Sequence, residues 1–184
     1  MFTAMLKLFA NLLTPRKNCR RGWDRKNYIL RRAGISIGKN VAIDRGFDYL
    51  PNNAANIKIA DHAVIGINAK FWNYDKITIG EFCMFAADVT LVNGGHETSD
   101  LSPFSGPLVI GNGCFLGNGA RLVGAINIGE NAIVGAGSLV LRDVPPCAIV
   151  AGSPARIIRF RELDSRQWHL GNNYFCPYSH KLLD

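Results

Sequence analysis

Residues Ile110, Leu116, Leu122, Ile128, Val134 and Val140 recur every six positions, and glycine follows four of them directly at Gly111, Gly117, Gly129 and Gly135. This period fits neither an amphipathic helix nor the alternation of a half-buried strand, and it predicts a coiled β-solenoid. The same phase runs through Ile37 and Ile43, through Ile59, Ile65 and Phe71, and through Ile79, Phe85 and Leu91. A second uncharged ladder stands four residues further on, at Val41, Ala63, Ala69, Cys83, Val89, Cys114, Ala120, Ile126, Ala132, Ser138 and Val144. Two such positions per hexad, separated by Gly, Asn, Asp and Lys, predict short strands around a narrow core. Glycine is expected to give the corners backbone freedom. A β-sandwich would instead alternate at period two with irregular loops. Each coil buries little by itself, so stacking must create the core.

The repeat covers most of the chain and breaks in at least three places. One all-β domain with terminal additions is expected from 184 residues, of which 48% are hydrophobic. The boundaries read as a basic helical N-terminal cap over 1–34, the solenoid over 35–160 with an excursion loop at 92–108, and an aromatic tail over 161–184. Charge sharpens the first boundary. Of the formal +7, residues 1–34 hold nine cations, Lys7, Arg16, Lys17, Arg20, Arg21, Arg25, Lys26, Arg31 and Arg32, against the single acid Asp24.

The apolar run at 1–13 is too short to span a bilayer, and its positive charges follow rather than precede it, unlike a signal peptide. Two readings of this segment stay open: a cap over the open end of the solenoid, or an amphipathic surface that touches anionic membrane. No nucleic-acid module accompanies the charge, so no nucleic-acid partner is expected. Five cysteines without CxxC spacing fit a reducing, cytoplasmic setting. No metal is expected, because zinc needs three protein ligands and the repeats hold only His62 and His96.

The longest break, 93–107, is a polar excursion, and rigid scaffolds mount chemistry on such loops. His96 is its one histidine. An imidazole can take a proton from a hydroxyl while an acceptor carbonyl is attacked, although it could equally serve to bond the turn. Between Ile65 and Ile79 the break holds Asn68, Phe71, Trp72, Asn73, Tyr74 and Asp75, aromatic surface beside polar groups, which suits the mixed faces of a sugar. Asp88 is a further polar candidate for the acceptor site. Glu97, Asp88 and a loop carbonyl are the candidates for holding the other nitrogen of His96.

Three runs carry a family resemblance: VIGNGCFLGNGAR at 109–121, IGENAIVGAGSLV at 128–140 and DVPPCAIVAGSPARIIR at 143–159. With them the chain resembles the left-handed β-helix acyltransferases with hexapeptide repeats, in the sugar O-acetyltransferase branch of the galactoside, maltose and nodulation-factor enzymes. The resemblance covers about residues 35–160. It implies a left-handed coil of three parallel sheets and a homotrimer with active sites between subunits. The implied reaction moves an acetyl group from acetyl-CoA to a sugar hydroxyl, with His96 as general base, in cell-surface or exported polysaccharide synthesis.

By family position, Phe115, Leu116, Gly117 and Asn118 fall along the acetyl-CoA groove, and Ala136 and Gly137 are the small residues beside the pantetheine. Arg156, Arg159 and Arg142 are the candidates for the phosphates. Phe115 stands where galactoside-type enzymes often have tryptophan. Ser138 and Asn118 are candidate polar contributors to the site, Ser138 having a simpler role as a small inward residue. Two alternatives remain at this stage, N-acetylation of an amino sugar nucleotide and a non-catalytic scaffold. Residues 1–34 are too short for the nucleotide-sugar domain that the first of these would bring.

Overall fold

The computed structural model describes residues 5–7, 10 and 20–162. From Ser36 onward most hexads supply one short strand, and three successive strands complete a coil. The first sheet stacks Ser36–Ile37, Ile57–Ile59, Ile77–Ile79, Leu108–Ile110 and Asn127–Ile128. The second stacks Ala42–Ile43, Val64–Ile65, Met84–Phe85, Phe115–Leu116, Ile133–Val134 and Ala148–Gly152, with the antiparallel strand Ala155–Phe160 returning along its end. The third stacks Asp48–Tyr49, Lys70–Trp72, Thr90–Val92, Arg121–Val123 and Leu139–Val140.

Pairing between coils is parallel and keeps the hexads in phase: Ile110 opposite Ile128, Leu116 opposite Val134, Leu122 opposite Val140. The result is a left-handed parallel β-helix of about six turns, an exception to the usual right-handed crossover.

Both apolar ladders point inward and are buried from Ile37 to Val150. The widest side chains fill the N-terminal end, where the Phe47 ring lies 5.5 Å from Tyr49 and meets Phe71 edge-on at 5.0 Å. The second ladder is mostly small along its length, with Ala63, Ala69, Ala120, Ala132 and Ser138 among its members. The corners turn through left-handed residues three places after the ladder, such as Asn40, His62, Phe82 and Asn131 on one edge and Asn68, Asp88, Gly119 and Gly137 on another. The glycines directly after the ladder serve a different purpose from the one expected. A Cβ on Gly117 would stand 2.5 Å from the backbone nitrogen of Ala136 in the next coil, so glycine is there for close stacking.

The helix Arg20–Arg32 lies over the first coil and buries Trp23, Lys26, Asn27 and Leu30. Carbonyls on the free edge of that coil have no coil beneath them, and side chains from the N-terminal segment supply the missing donors. Lys26 Nζ donates to the Asp44 carbonyl, Asn27 Nδ2 to Val41 (2.7 Å), and Arg31 to Ile37 (3.0 Å) and Gly38 (2.7 Å). Lys7 donates to the Tyr49 carbonyl (2.9 Å) and pairs with Asp48. Part of the basic charge of this segment is thus spent on backbone. No helix among the described residues is long and apolar enough to cross a membrane. The aromatic tail expected over 161–184 lies outside the described residues beyond Glu162.

Candidate active site

The three interruptions of the repeat, far apart in sequence, share one edge of the prism. Segments 50–56, 73–76 and 93–107 all leave the third sheet and re-enter the first, so they stack in successive coils. Two fully buried asparagines one coil apart tie them together. Asn73 Oδ1 accepts from the Leu50 N–H (2.9 Å) and its Nδ2 donates to the Asn53 carbonyl (2.6 Å), while Asn53 Nδ2 donates back to the Asn73 carbonyl (3.1 Å). Asn93 Oδ1 accepts from the Asp75 N–H (3.2 Å) and its Nδ2 donates to the Lys76 carbonyl (3.0 Å). A buried amide satisfied on both sides is a rigid bolt. Asn73 is therefore a structural clamp and not an open contact for substrate, which corrects its assignment to the acceptor site. Asn93, which the sequence reading passed over, stands at the same phase two residues after Leu91, as Asn73 does after Phe71.

The excursion expected at 92–108 is a β-hairpin rather than an irregular loop. Gly94–His96 pairs antiparallel with Pro103–Ser105, with Gly94 opposite Ser105, Gly95 opposite Phe104 and His96 opposite Pro103. Its tip closes through the Glu97 N–H to the Ser102 carbonyl (2.9 Å) and the Leu101 N–H to the Glu97 carbonyl (3.0 Å). Asp100 accepts from the Ser102 N–H (2.9 Å) and hydroxyl (2.7 Å), bonds that hold its carboxyl below the ordinary value.

Leu101 takes the left-handed conformation at φ 58°, and its carbonyl lies 2.8 Å from His96 Nδ1. A carbonyl only accepts, so in the neutral ring Nδ1 carries the proton and Nε2 keeps its lone pair. Of the three candidates for this role the loop carbonyl holds it. Glu97 is engaged through its backbone, and Asp88 sits at the other edge of the third sheet, where its carboxylate accepts from Asn68 Nδ2 (3.1 Å). The expected acceptor set thus divides: Trp72, Tyr74 and Asp75 lie at the hairpin edge, Asn68 and Asp88 at the opposite one.

That opposite edge, between the second and third sheets, carries a bare strip. A Cβ on Gly119 or Gly137 would meet nothing within 4 Å, and Ala136 beside them is exposed. Phe115, 38% exposed, flanks the strip on the second sheet. Asn118 turns Oδ1 onto the Ala87 N–H (3.3 Å), which occupies its acceptor while its amide nitrogen donates no bond within the described chain. Gly117 is buried between coils and serves packing, so its expected place in an open groove is corrected.

Arg156 and Arg159 share the exposed return strand, and Arg156 Nη1 donates to the Ala155 carbonyl (2.9 Å). Arg142 is exposed just beyond the third sheet. Ser138 is fully buried with its Oγ unpartnered, an inward filler. No group of three His, Cys, Asp or Glu side chains stands together among the described residues in a way that could hold a metal ion.

The hairpin edge and the bare strip lie on opposite sides of the third sheet, so one chain does not bring them together. Residues 107–142 match the model of the bacterial transferase hexapeptide, six repeats. The chain is 28% identical over 162 residues to galactoside O-acetyltransferase of Escherichia coli K12, covering 84% of this chain and 75% of that protein. It is 29% identical over 136 residues to an E. coli K12 acetyltransferase, WcaF, whose name assigns it provisionally to colanic acid biosynthesis (73% and 74% covered). Among solved structures, a hexapeptide-repeat acetyltransferase of Vibrio cholerae O1 biovar eltor, solved with acetyl coenzyme A, superposes with a TM-score of 0.76. That match is 23% identical and covers 88% of this chain and 86% of the other.

Proposed function

The chain belongs to the hexapeptide-repeat acyltransferase family, and from that membership we propose that it transfers an acetyl group from acetyl-CoA to a sugar hydroxyl. The observation that carries the proposal is the bond from His96 Nδ1–H to the Leu101 carbonyl, which leaves Nε2 as a base on an exposed hairpin. Nε2 takes the proton of the attacking hydroxyl as that oxygen bonds to the thioester carbonyl carbon. The tetrahedral intermediate collapses with cleavage of the carbon–sulfur bond, and the imidazolium returns the proton to the leaving thiolate, giving free CoA. No acyl-enzyme is needed when both substrates are bound together, since proximity supplies much of the rate.

In this reading the bare strip at Gly119, Ala136 and Gly137, walled by Phe115, accommodates the pantetheine arm. A chain without side chains at a corner lets a thin ligand lie against backbone. Arg142, Arg156 and Arg159 are the proposed phosphate contacts, the guanidinium fork suiting a phosphate. Because strip and hairpin occupy opposite edges, the His96 of one copy works on the acetyl-CoA bound along another, which requires an oligomer; a homotrimer is proposed. Support for self-association comes from the outer face of the second sheet, where Ala42, Val64, Met84, Phe115, Ile133 and Ile149 form one apolar column in register. The outer faces of the other two sheets are mixed, with Ser36, Lys58, Thr78, Val109 and Asn127 on the first and Asp48, Lys70, Thr90, Arg121 and Leu139 on the third.

Likeness to the galactoside and colanic acid proteins supports a carbohydrate acceptor, and the proposed setting is surface polysaccharide synthesis. The test is release of CoA thiol from acetyl-CoA against a panel of mono- and oligosaccharides. Sugar-dependent release should fall roughly 10²–10⁴-fold in His96→Ala. Release that persists in the variant would place the base elsewhere.

A further inference from the structure

The hairpin that carries His96 also carries two aromatic contacts, one on each face, and they are not equivalent. In an antiparallel pair, residues directly opposite share a face and residues two apart along a strand share a face. Gly94, His96, Pro103 and Ser105 therefore lie on one side of the hairpin, and Gly95 and Phe104 on the other. A Cβ on Gly95 would meet the tip of the Phe104 ring at 3.2 Å, so Phe104 covers the face away from the imidazole. A Cβ on Gly94 would stand 2.8 Å from Cβ, Cγ and Cδ2 of Tyr74, so Tyr74 packs on the His96 face.

Tyr74 is half exposed, at 50%. Its backbone is held from both flanks: Asn73 ties the residue before it to the coil below, and Asn93 ties Asp75 and Lys76 to the coil above. An exposed aromatic ring on a backbone bolted by two fully buried amides costs little further ordering when a ligand stacks on it. Gly94 and His96 are two residues apart, roughly 6–7 Å along an extended strand. That is about the span of one pyranose with its hydroxyl, so a sugar lying on the Tyr74 ring presents a hydroxyl toward Nε2.

We infer that Tyr74 is the acceptor-positioning residue, its ring being the platform on which a pyranose stacks while His96 takes a proton from one hydroxyl. Phe104 on the far face is excluded from this role, and Gly94 has to be glycine to admit the tyrosine ring. The inference rests on the acetyl-transfer reading for the identity of the reaction, but the binding of the sugar can be read without turnover.

Two measurements separate them. The first is saturation-transfer NMR with maltose and with methyl β-galactoside, on wild type, Tyr74→Ala, Tyr74→Phe and Tyr74→Trp. The second is steady-state CoA release with whichever of these sugars gives the higher wild-type rate. The inference expects transfer to the sugar in wild type, its loss in Tyr74→Ala, and retention in Tyr74→Phe and Tyr74→Trp. It also expects an acceptor KM raised about tenfold or more in Tyr74→Ala, with the KM for acetyl-CoA held within about twofold. A tenfold change corresponds to about 1.4 kcal/mol of binding.

Sugar transfer that depends on Tyr74 without any CoA release would keep the platform and overturn the acetyl-transfer reading. Sugar-dependent CoA release with an unaltered acceptor KM in Tyr74→Ala would keep the reaction and overturn the platform. Parallel rises in both KM values, failure of Tyr74→Phe to restore binding, or absence of sugar binding by wild type would likewise overturn it. Melting curves of Tyr74→Ala guard against a loss of fold in that variant, and Tyr74→Trp, which keeps a ring over Gly94, tests the platform without removing it.

Discussion

The proposed base depends on one residue whose side chain never touches it. Leu101 holds its carbonyl on His96 Nδ1 from a left-handed backbone, which costs a non-glycine residue about 1–2 kcal/mol. Leu101→Gly relieves that cost and should keep kcat within about twofold with a slight gain in melting temperature. Leu101→Val, branched at Cβ, resists the same φ and should lower kcat at least tenfold as the carbonyl leaves the ring; steady-state CoA release checks both. A second residue-scale expectation concerns the buried Lys26. Burial pushes its ammonium down to about 8 from 10.5, with Asp44 opposing, so the unfolded chain binds more protons than the folded one across that interval. Stability therefore rises with pH from about 8 to 10.5 and is lost as pH falls through 8. Burial pushes Tyr49 up to about 12 from 10.0, with Asp48 adding to it, so folding holds a proton that the unfolded chain releases, and stability falls from about pH 10 to 12. Melting temperature should peak near about pH 10, and Lys26→Met should flatten the rising limb; scanning calorimetry across pH 7–12 reads both.

At the scale of elements, the stack of three interruptions behaves as one unit because Asn73 and Asn93 satisfy the backbone groups between them. Asn93→Ala would orphan the Asp75 N–H and strip one of two donors from the Lys76 carbonyl, which keeps the Leu108 N–H (2.9 Å), at a cost of about 1–3 kcal/mol. The melting temperature should drop accordingly. Activity should fall further than stability alone explains, since both Tyr74 and the base of the His96 hairpin rest on this clamp. Asn93→Asp, which sets a buried carboxylate oxygen against the Lys76 carbonyl, should lose at least as much as the alanine variant; paired melting curves and kcat/KM measurements test the order. The helix Arg20–Arg32 is an element of a different kind, supplying by side chain the donors that a coil beneath the first would have supplied by backbone.

At the scale of the whole molecule, the His96 hairpin and the bare strip lie on opposite sides of the third sheet. Ile133 sits in the middle of the outer apolar column of the second sheet, opposite Phe115 and Ile149. Ile133→Arg should dissociate the assembly in analytical ultracentrifugation and abolish sugar-dependent CoA release, while leaving the coil folded by circular dichroism. A trimer that survives with full activity would remove this face from the interface. The solenoid itself was legible from Ile110 to Val140 onward, because an inward position must recur once per strand and the hexad is the length of one strand plus one corner. His96 was legible as the single histidine of the longest break. What the chain could not display along its length was that segments 50–56, 73–76 and 93–107 meet at one edge, that a carbonyl five residues on selects the tautomer of His96, or that Tyr74 rather than Asn73 faces it. Those are contacts between coils, set by stacking at distances of twenty residues and more or by the folding back of a hairpin, and no local period encodes them. The sequence by itself determined the coil and its phase, because both are set by a local repeat; the tertiary structure alone decided which side chains are bolts, which are open, and that the hairpin and the bare strip stand on two separate edges.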